Sequence, residues 1–348
     1  MKFRIGAAET VGYLVGLKRT VAVITGGMRF QVVMAKAIGD LMSVPRTVAL
    51  VAGGIAPTVI FSLVWRETFQ AGTMSLDMET GLLVGFFIII SLLWTAGIYL
   101  IYLVVGISGL ELVDREREQG TLLLMVSKPI SRSQFLLGKF LALVLTTLLL
   151  EAIILLGSVL MLWGLLGLDP DIVAALMQLL PWIFLFSLLV TLVFASISVA
   201  VSTLVGSYLV RNIVLMGILV LAFAVGPVLR IQPWWPNVYE DYRLYYVDGS
   251  YNLGNAYVPL LDQAETGRMQ PVFQAWLGIT TGTYKAGAEV LLAALLGGET
   301  FDPDIGAMPS SLERTTYLPP AVSIGLFLAV AAAAFGVANL ALNRKEVQ

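Results

Sequence analysis

The chain has 348 residues, of which 58% are hydrophobic and 13% are charged, and its net charge is −2. The mean hydropathy of +0.88 is typical of an integral membrane protein rather than of a soluble domain. The sequence contains no Cys and no His, which excludes disulfides, Cys/His metal sites and His-based catalytic triads. The balance of charge gives no basic field for nucleic acid.

The first segment, residues 1–46, carries seven basic residues and begins without the continuous apolar stretch of a signal peptide. Within it, residues 28–45 alternate apolar and polar positions at helical spacing. We expect an amphipathic helix that lies in the cytoplasmic membrane interface and turns at Pro45 into the first span. A simple cytosolic helix is the alternative.

Six charge-poor stretches are long enough to cross a bilayer as helices, at about 1.5 Å per residue over about 30 Å of hydrocarbon. They lie between Arg46 and Arg66, at 80–110, at 140–168, within 172–210, between Arg211 and Arg230, and between Pro320 and Arg344. We expect the fourth helix to begin at Pro181 and to end near Gly206. The sequence thus predicts an all-α integral membrane protein, with spans 1–5 in residues 47–230 and span 6 in 319–348.

The distribution of Lys and Arg predicts the orientation of the chain. If the N-terminus is cytoplasmic, the cytoplasmic segments hold 15 of the 21 Lys and Arg residues and the outer segments hold 6. Cytoplasmic loops carry the excess of basic residues in membrane proteins. We therefore predict a multi-pass protein of the plasma (cytoplasmic) membrane with both termini in the cytoplasm.

A dense run of charges joins the second and third spans, and we call residues 111–132 the charged strip. Glu111, Arg115 and Glu118 fall at i, i+4 and i+7 and share one helical face. Asp114 and Arg117 form an i, i+3 pair beside that face. The second span is therefore predicted to continue beyond the membrane as a charged helix.

The second half of the charged strip has turn and cap signals. Gly120 suits the left-handed position after a helix, and Thr121 can cap a short apolar helix that Pro129 ends. Residues 131–134 match a capping box that would start the helix into the third span. The pattern predicts a helix–turn–helix bracket over residues 108–132. The residues alone leave two interpretations open, solvated charges at a membrane boundary or the seat of a partner.

Glu151 lies near the middle of the third span, where a charge costs roughly 2.5 to 3.5 kcal/mol on insertion scales. One hypothesis places it on a translocation path or at a dimer seam. The alternative is a buried carboxyl that is hydrogen-bonded to hydroxyls of the fourth span. That span supplies Ser187, Thr191, Ser196, Ser198, Ser202 and Thr203.

The segment between spans 5 and 6, residues 231–318, is long and is predicted to be extracytoplasmic. Its first part is rich in Trp and Tyr, which suits an aromatic belt at the headgroup level. Residues 284–296 have the pattern of a helix that dips partway into the bilayer. The segment is compatible with a gate or docking surface, and equally with a folded cap that does not contact substrate.

The charged strip and the start of the third span resemble the signature of ABC-2 type transporter permeases. That signature has an acidic-basic-acidic stretch, Gly-Thr-Leu, a short apolar run, Pro, Ser-Arg and then Gly-Lys. The matching positions are Glu116, Glu118, Gly120, Thr121, Leu122, Pro129, Ser131, Arg132, Gly138 and Lys139. The likeness in sequence covers residues 105–145, and elsewhere it is architectural.

The resemblance implies a permease half that pairs with a second copy or a homologue and binds cytosolic ABC ATPase subunits. It implies that the charged strip is a coupling helix seated on the ATPase. The coupling residues would be Glu111, Asp114, Arg115, Glu116, Arg117, Glu118, Gly120, Thr121, Pro129 and Arg132. The chain has no Gly-x-x-x-x-Gly-Lys-Ser/Thr phosphate loop, so we expect no enzyme activity or cofactor here, with ATP and Mg bound by the partner ATPase.

Three functions follow as hypotheses. The first is the permease of an ATP-driven exporter for a hydrophobic or lipid-like substrate, because Leu, Val, Ile and Ala dominate the spans. The second is a subunit that passes ATPase-driven motion to an extracytoplasmic partner on residues 231–318 without transport. A secondary transporter or channel is disfavoured, because only one ionisable residue lies mid-membrane. Membrane lipids are expected partners, and nucleic acid is not.

Overall fold

The computed structural model describes residues 31–72, 74–111, 131–231, 238–264, 269–285 and 312–344. Six helices in these parts of the chain are long and apolar enough to cross a membrane. They are span 1 (Val44–Gln70), span 2 (Leu76–Glu111), span 3 (Arg132–Leu166), span 4 (Pro170–Leu204), span 5 (Tyr208–Arg230) and span 6 (Pro320–Arg344). The same ranges contain no β-strand, only an isolated bridge between Tyr284 and Arg314. The predicted all-α, six-span architecture is confirmed.

Successive spans of a membrane protein run in opposite directions, so the chain ends alternate between two faces of the bundle. We call the face at which spans 2 and 3 are joined the strip face. The opposite face holds residues 238–264, 269–285 and 312–319, and we call it the loop face. Spans 3 and 4 pack against each other and against spans 2 and 6, whereas span 1 packs mainly on span 3. The core lies between spans 2, 3 and 4.

The helix at residues 31–41 precedes span 1 on the strip face. It ends two residues before Val44, and Pro45 stands in the first turn of span 1, where its missing N–H is harmless. Val33 and Ala37 are buried, while Val32 is exposed. The predicted helix and the turn near Pro45 are therefore present. Its location in the membrane interface stays a prediction.

Spans 3 and 4 begin at strong local start signals. The predicted capping box is present, because Ser131 Oγ accepts from the Gln134 N–H at 3.2 Å and Gln134 Oε1 accepts from the Ser131 N–H at 3.1 Å. Asp169 caps span 4 by accepting from the Asp171 N–H at 2.9 Å, and Pro170 follows it. The predicted start at Pro181 is wrong, since Pro181 lies inside span 4. A proline is tolerated there because neighbouring spans can satisfy the freed backbone group.

Span 2 is irregular along its middle. It is α-helical over Leu76–Ile89, π-helical over Ile90–Gly106 and α-helical again over Ile107–Glu111. The backbone leaves helical geometry at Gly97, where φ is −88° and ψ is −107°. A Cβ at this position would lie 2.7 Å from the Leu92 carbonyl oxygen, so the kink requires glycine. Long π-helical stretches are rare and often mark functional regions.

Two aromatic side chains of the π-helical stretch bond to the backbone of span 1. Trp94 Nε1–H donates to the Gly53 carbonyl at 3.3 Å, and the Tyr99 hydroxyl donates to the Leu50 carbonyl. Pro57 has no N–H to give to Gly53, four residues earlier, so the indole takes the place of the missing amide. These bonds hold span 1 against the irregular part of span 2.

The loop face is built from short helices at Val238–Asp241, Leu244–Tyr246 and Pro271–Thr281, and from a longer helix at Gly249–Asp262. We call Gly249–Asp262 the buried helix, because ten of its 14 residues are buried. It packs against spans 4 and 6 and against Pro271–Thr281. Gly254 allows a close approach there, since a Cβ would lie 2.4 Å from the Thr281 Cβ. The helix predicted at 284–296 lies almost wholly outside the described residues.

Candidate functional site

The charged strip is the first candidate site, and the structure describes its two ends. Glu111 is the last residue of span 2, and Arg132 is the first residue of span 3. The other predicted coupling residues lie outside the described part of the chain. They are Asp114, Arg115, Glu116, Arg117, Glu118, Gly120, Thr121 and Pro129. Their role toward an ATPase stays a prediction, whereas the two described ends show how the strip is anchored.

A buried arginine holds the end of span 2. Arg211, in the first turn of span 5, is only 1% exposed. Its Nη1 donates to the Leu110 carbonyl at 2.9 Å, and its Nη2 donates to the Gly206 carbonyl at 3.0 Å. Ser202 Oγ donates to the same Leu110 oxygen at 3.0 Å. The last carbonyls of a helix have no partner within it and carry partial negative charge, so a guanidinium there is favourable.

Two further arginines make similar anchors on the strip face. Arg46 of span 1 donates through Nη2 to Ser108 Oγ of span 2 at 2.7 Å. Arg132 donates through Nη1 to the carbonyls of Leu342 and Asn343, at 3.2 Å each, where span 6 ends. Spans 1, 5 and 6 are thus tied to the two helices that carry the charged strip. We call Arg46, Arg132 and Arg211 the arginine anchors.

The second candidate site surrounds Glu151, the 20th of 35 residues in span 3. Its side chain is fully buried, and Ser187 Oγ of span 4 donates to Oε1 at 2.9 Å. This contact matches the alternative in which a fourth-span hydroxyl binds a buried carboxyl. Full burial within one chain does not favour a dimer seam, and a role on a translocation path stays a prediction. Ser196 and Ser202 instead donate to backbone carbonyls.

Tyr257 of the buried helix lies beside this carboxyl. This neighbour was not predicted from the sequence. Its hydroxyl donates to the Ile88 carbonyl of span 2 at 2.9 Å and is hydrogen-bonded to Ser91 Oγ. Its ring packs on Phe186, the neighbour of Ser187 in span 4, with centroids 4.7 Å apart. The 13 uncharged residues between Asp248 and Asp262 were the signal that this loop segment could be buried.

A buried ion pair fixes the start of the buried helix. Arg230, at the end of span 5, pairs with Asp248, and their side chains are 10% and 2% exposed. Asp248 Oδ1 caps the buried helix by accepting from the N–H groups of Ser250 and Tyr251, at 2.9 and 3.1 Å. Tyr239 donates to Asp248 Oδ2 at 2.8 Å. Burial, and then the Asp248 carboxylate, raise the pKa of Tyr239 well above its usual value.

The tyrosines of the loop face form a cluster rather than a simple lipid-facing belt. Tyr317 packs on Tyr239, Tyr245 and Tyr251, with ring centroids 5.6, 5.1 and 5.4 Å apart. The Tyr251 hydroxyl accepts from the N–H groups of Tyr317 and Leu318, at 3.0 and 3.1 Å. The belt interpretation is wrong for Tyr239, which is buried and whose hydroxyl is hydrogen-bonded to Asp248. Tyr242, by contrast, is 74% exposed.

Six apolar spans with a charged connection between spans 2 and 3 define a multi-pass membrane protein. The sequence model described as ABC-2 family transporter protein matches residues 96–347, which is more than half of the chain. The chain therefore belongs to the ABC-2 transporter family. This family consists typically of non-catalytic membrane permeases that work with ABC ATPase subunits. A search of curated proteins finds no match.

Proposed function

We propose that this chain is the transmembrane permease subunit of an ATP-binding-cassette exporter that moves a hydrophobic or lipid-like substrate. In this proposal the strip face is cytoplasmic, and the charged strip is the seat of a separate ATPase subunit. A second copy or a homologue completes the transmembrane part. The observation that carries the proposal is the family match across the strip and spans 3–6, together with the anchoring of both strip ends.

The arginine anchors explain how motion of the strip would reach the whole bundle. A partner that pulls on the strip pulls on the last turn of span 2 and on the first turn of span 3. Arg211 and Arg46 connect span 2 to spans 5 and 1, and Arg132 connects span 3 to span 6. Because hydrogen bonds to a charged donor are stronger than neutral ones, these contacts resist separation. The spans then respond together rather than one by one.

The apolar substrate class is supported by the composition of the spans. The interior of each span between its terminal charges has no charged residue except Lys139 and Glu151 of span 3. Such walls provide dispersion contacts and few fixed polar partners. They fit an apolar or amphiphilic molecule better than a hydrated ion, which would need replacement for its hydration shell.

Charge reversal in the strip tests this function. We expect Glu116→Lys with Glu118→Lys to abolish co-purification of the ATPase, or its substrate-stimulated turnover, while the six spans still insert. Asp40→Lys is the control, because it reverses an exposed acidic residue on the same face outside the strip. Normal ATPase binding and normal coupled turnover in the double variant would contradict the coupling role.

A second function is favoured by the buried helix. Because this loop-face helix is bonded to spans 2, 5 and 6, motion of the spans would reach the described residues of the loop face directly. That is the arrangement required to pass ATPase motion to an external partner without transport. Tyr284 and Arg314 are bridged, so residues 286–311 can be replaced by a short linker without moving the buried helix. If the linker variant loses partner binding but still transports an amphiphile, the result favours the exporter. If neither the native protein nor the linker variant transports an amphiphile, the result favours this second function.

A further inference from the structure

Glu151 lies far from any opposite charge in the described bundle. Spans 1, 2, 4 and 6 pack against span 3. They carry no Asp, Glu, Lys or Arg over residues 47–65, 80–110, 172–204 and 321–343. Lys139 is twelve residues away in span 3, about 18 Å along the helix. The ionisable side chains on the packed elements at this depth are Tyr99, Tyr102 and Tyr257, and no described ion pair includes Glu151.

The carboxyl is also only half satisfied by hydrogen bonds. Ser187 serves Oε1, whereas Oε2 is buried and has no hydrogen-bond partner in the described chain. A carboxylate normally accepts several hydrogen bonds and loses much free energy when it is buried with one. A neutral carboxylic acid needs fewer acceptor contacts and carries no charge to solvate. The surroundings of Glu151 therefore suit the protonated form.

Two more buried hydroxyls that have no hydrogen-bond partner lie on the strip-face side of this carboxyl. Thr147 is one helical turn before Glu151 in span 3, and Thr191 is one turn after Ser187 in span 4. Since spans 3 and 4 run in opposite directions, both threonines lie one turn closer to the strip face, on the sides that carry Glu151 and Ser187. Both are buried, and neither Oγ1 has a hydrogen-bond partner. Three unpartnered polar atoms thus lie on spans 3 and 4 within about one helical turn along the bundle.

On the loop-face side the carboxyl is closed off by a bonded group. The Tyr257 hydroxyl is held by the Ile88 carbonyl and Ser91, and its ring packs on Phe186, the neighbour of Ser187. Within the described spans 3 and 4, the buried hydroxyls without a hydrogen-bond partner therefore lie on the strip-face side of the carboxyl. This asymmetry indicates the side from which a proton could reach the carboxyl.

We propose that Glu151 is a proton-binding site inside the bundle, occupied in the closed state and exchanging its proton with water from the strip face. In the closed state the carboxyl is neutral and accepts from Ser187. When spans 3 and 4 separate, water enters along Thr147 and Thr191, the O–H bond of the acid breaks, and the proton passes to water. The carboxylate that remains is solvated by that water. Closure of the spans requires the proton to return.

The protonation state can be measured directly by infrared spectroscopy on the full-length permease in lipid nanodiscs. Glutamate labelled with ¹³C at the carboxyl distinguishes glutamate bands from those of aspartate. At pH 6, about two units above the usual glutamate pKa, we expect the carbonyl band of a protonated acid in the native protein. The band should be absent in Glu151→Gln, whose amide has the shape of the neutral acid. Ser187→Ala should keep the band and move it to higher frequency.

Glu67→Gln is the matched control, because Glu67 is exposed at the loop-face end of span 1. It should leave the protonated-acid band unchanged. A carboxylate band at pH 6 that only Glu151→Gln removes would overturn the proposal, as would a protonated-acid band that survives Glu151→Gln. The permease is measured alone, with no ATPase present. Failure here would therefore leave the proposed exporter function untouched, and failure of ATPase coupling would leave this site untouched.

Discussion

The two faces of the bundle are held together by different kinds of contact. On the strip face, Arg46, Arg132 and Arg211 reach across to a hydroxyl and to backbone carbonyls at helix ends. On the loop face, a whole helix is packed into the bundle and fixed at its start by the Arg230–Asp248 pair. Among the described residues, the charged contacts of the strip face thus join helix ends at a few points, beside the apolar cluster of Leu110, Val201 and Leu215, whereas the loop face is joined along a whole packed helix.

The two kinds of contact suit different roles, because one allows the spans to move and the other restrains them. Point contacts to helix ends allow a helix to tilt while its end stays attached, which suits a face that must follow a moving partner. A packed helix resists tilting, because tilting would open cavities that cost free energy. We expect changes at the loop face to affect the stability of the fold more, and changes at the strip face to affect coupling more.

The largest effect is expected from Asp248→Asn. The change leaves Arg230 buried without its counter-charge and weakens the cap of the buried helix. Breaking a buried ion pair in this way costs about 3–5 kcal/mol of unfolding free energy. Thermal unfolding of the purified protein in nanodiscs measures the effect. Asp262→Asn is the control, since that aspartate pairs with Arg314 in the exposed part of the loop face and is worth about 0–1 kcal/mol. Equal losses in the two variants would show that the buried Arg230–Asp248 pair stabilises the loop face no more than an exposed pair does.

An intermediate effect is expected from Arg211→Met at the strip face. The variant removes the charged donor of two hydrogen bonds to backbone carbonyls at helix ends. We expect the permease–ATPase complex to assemble but its substrate-stimulated ATP turnover to fall by tenfold or more. Arg211→Lys keeps the charge but not the planar fork that reaches two carbonyls, so its turnover should lie between those of Met and the native residue. ATP turnover at the native rate in Arg211→Met would show that motion of the charged strip does not reach span 5 through Arg211.

The smallest effect is expected from Tyr257→Phe, which keeps the packing and removes one hydroxyl. The loss should be about 0.5–1.5 kcal/mol of unfolding free energy, because Ser91 still donates to the Ile88 carbonyl. Tyr246→Phe on the exposed surface of the loop face is the matched control and should leave the unfolding temperature unchanged. A loss in the Tyr257 variant as large as that in Asp248→Asn would mean that this hydroxyl stabilises the buried helix as much as the ion pair does.

The spans could be predicted from the sequence because their signal is compositional. Charged residues mark where each helix leaves the hydrocarbon, and the Ser131–Gln134 capping box and the Pro45 turn are local in sequence. The start of span 4 was missed because Pro181 is a breaker in water, whereas Asp169 with Pro170 is the stronger start signal. Glu151 could be paired with fourth-span hydroxyls in advance, since both lie at similar depth.

The rest depends on contacts between distant parts of the chain. In the sequence, Arg46 and Arg211 look like ordinary positive charges at membrane boundaries, and their hydrogen bonds to Ser108 and Leu110 follow only from how the spans pack. The buried helix reads as a loop because Asn and Gly interrupt its apolar pattern. Tyr257 meets Ile88 across 169 residues of sequence, and no local pattern indicates such a pairing.

Pro57 of span 1 helps to decide which spans move together. The indole of Trp94 stands in for the amide that Pro57 lacks, so a slip between spans 1 and 2 would leave the Gly53 oxygen bare in hydrocarbon, at a cost of several kcal/mol. The two spans are thereby locked in register as a single lever. The helix at residues 31–41 and Glu111 both lie at the strip-face end of this pair of spans, so we expect any tilt imposed on the charged strip to move that helix as well.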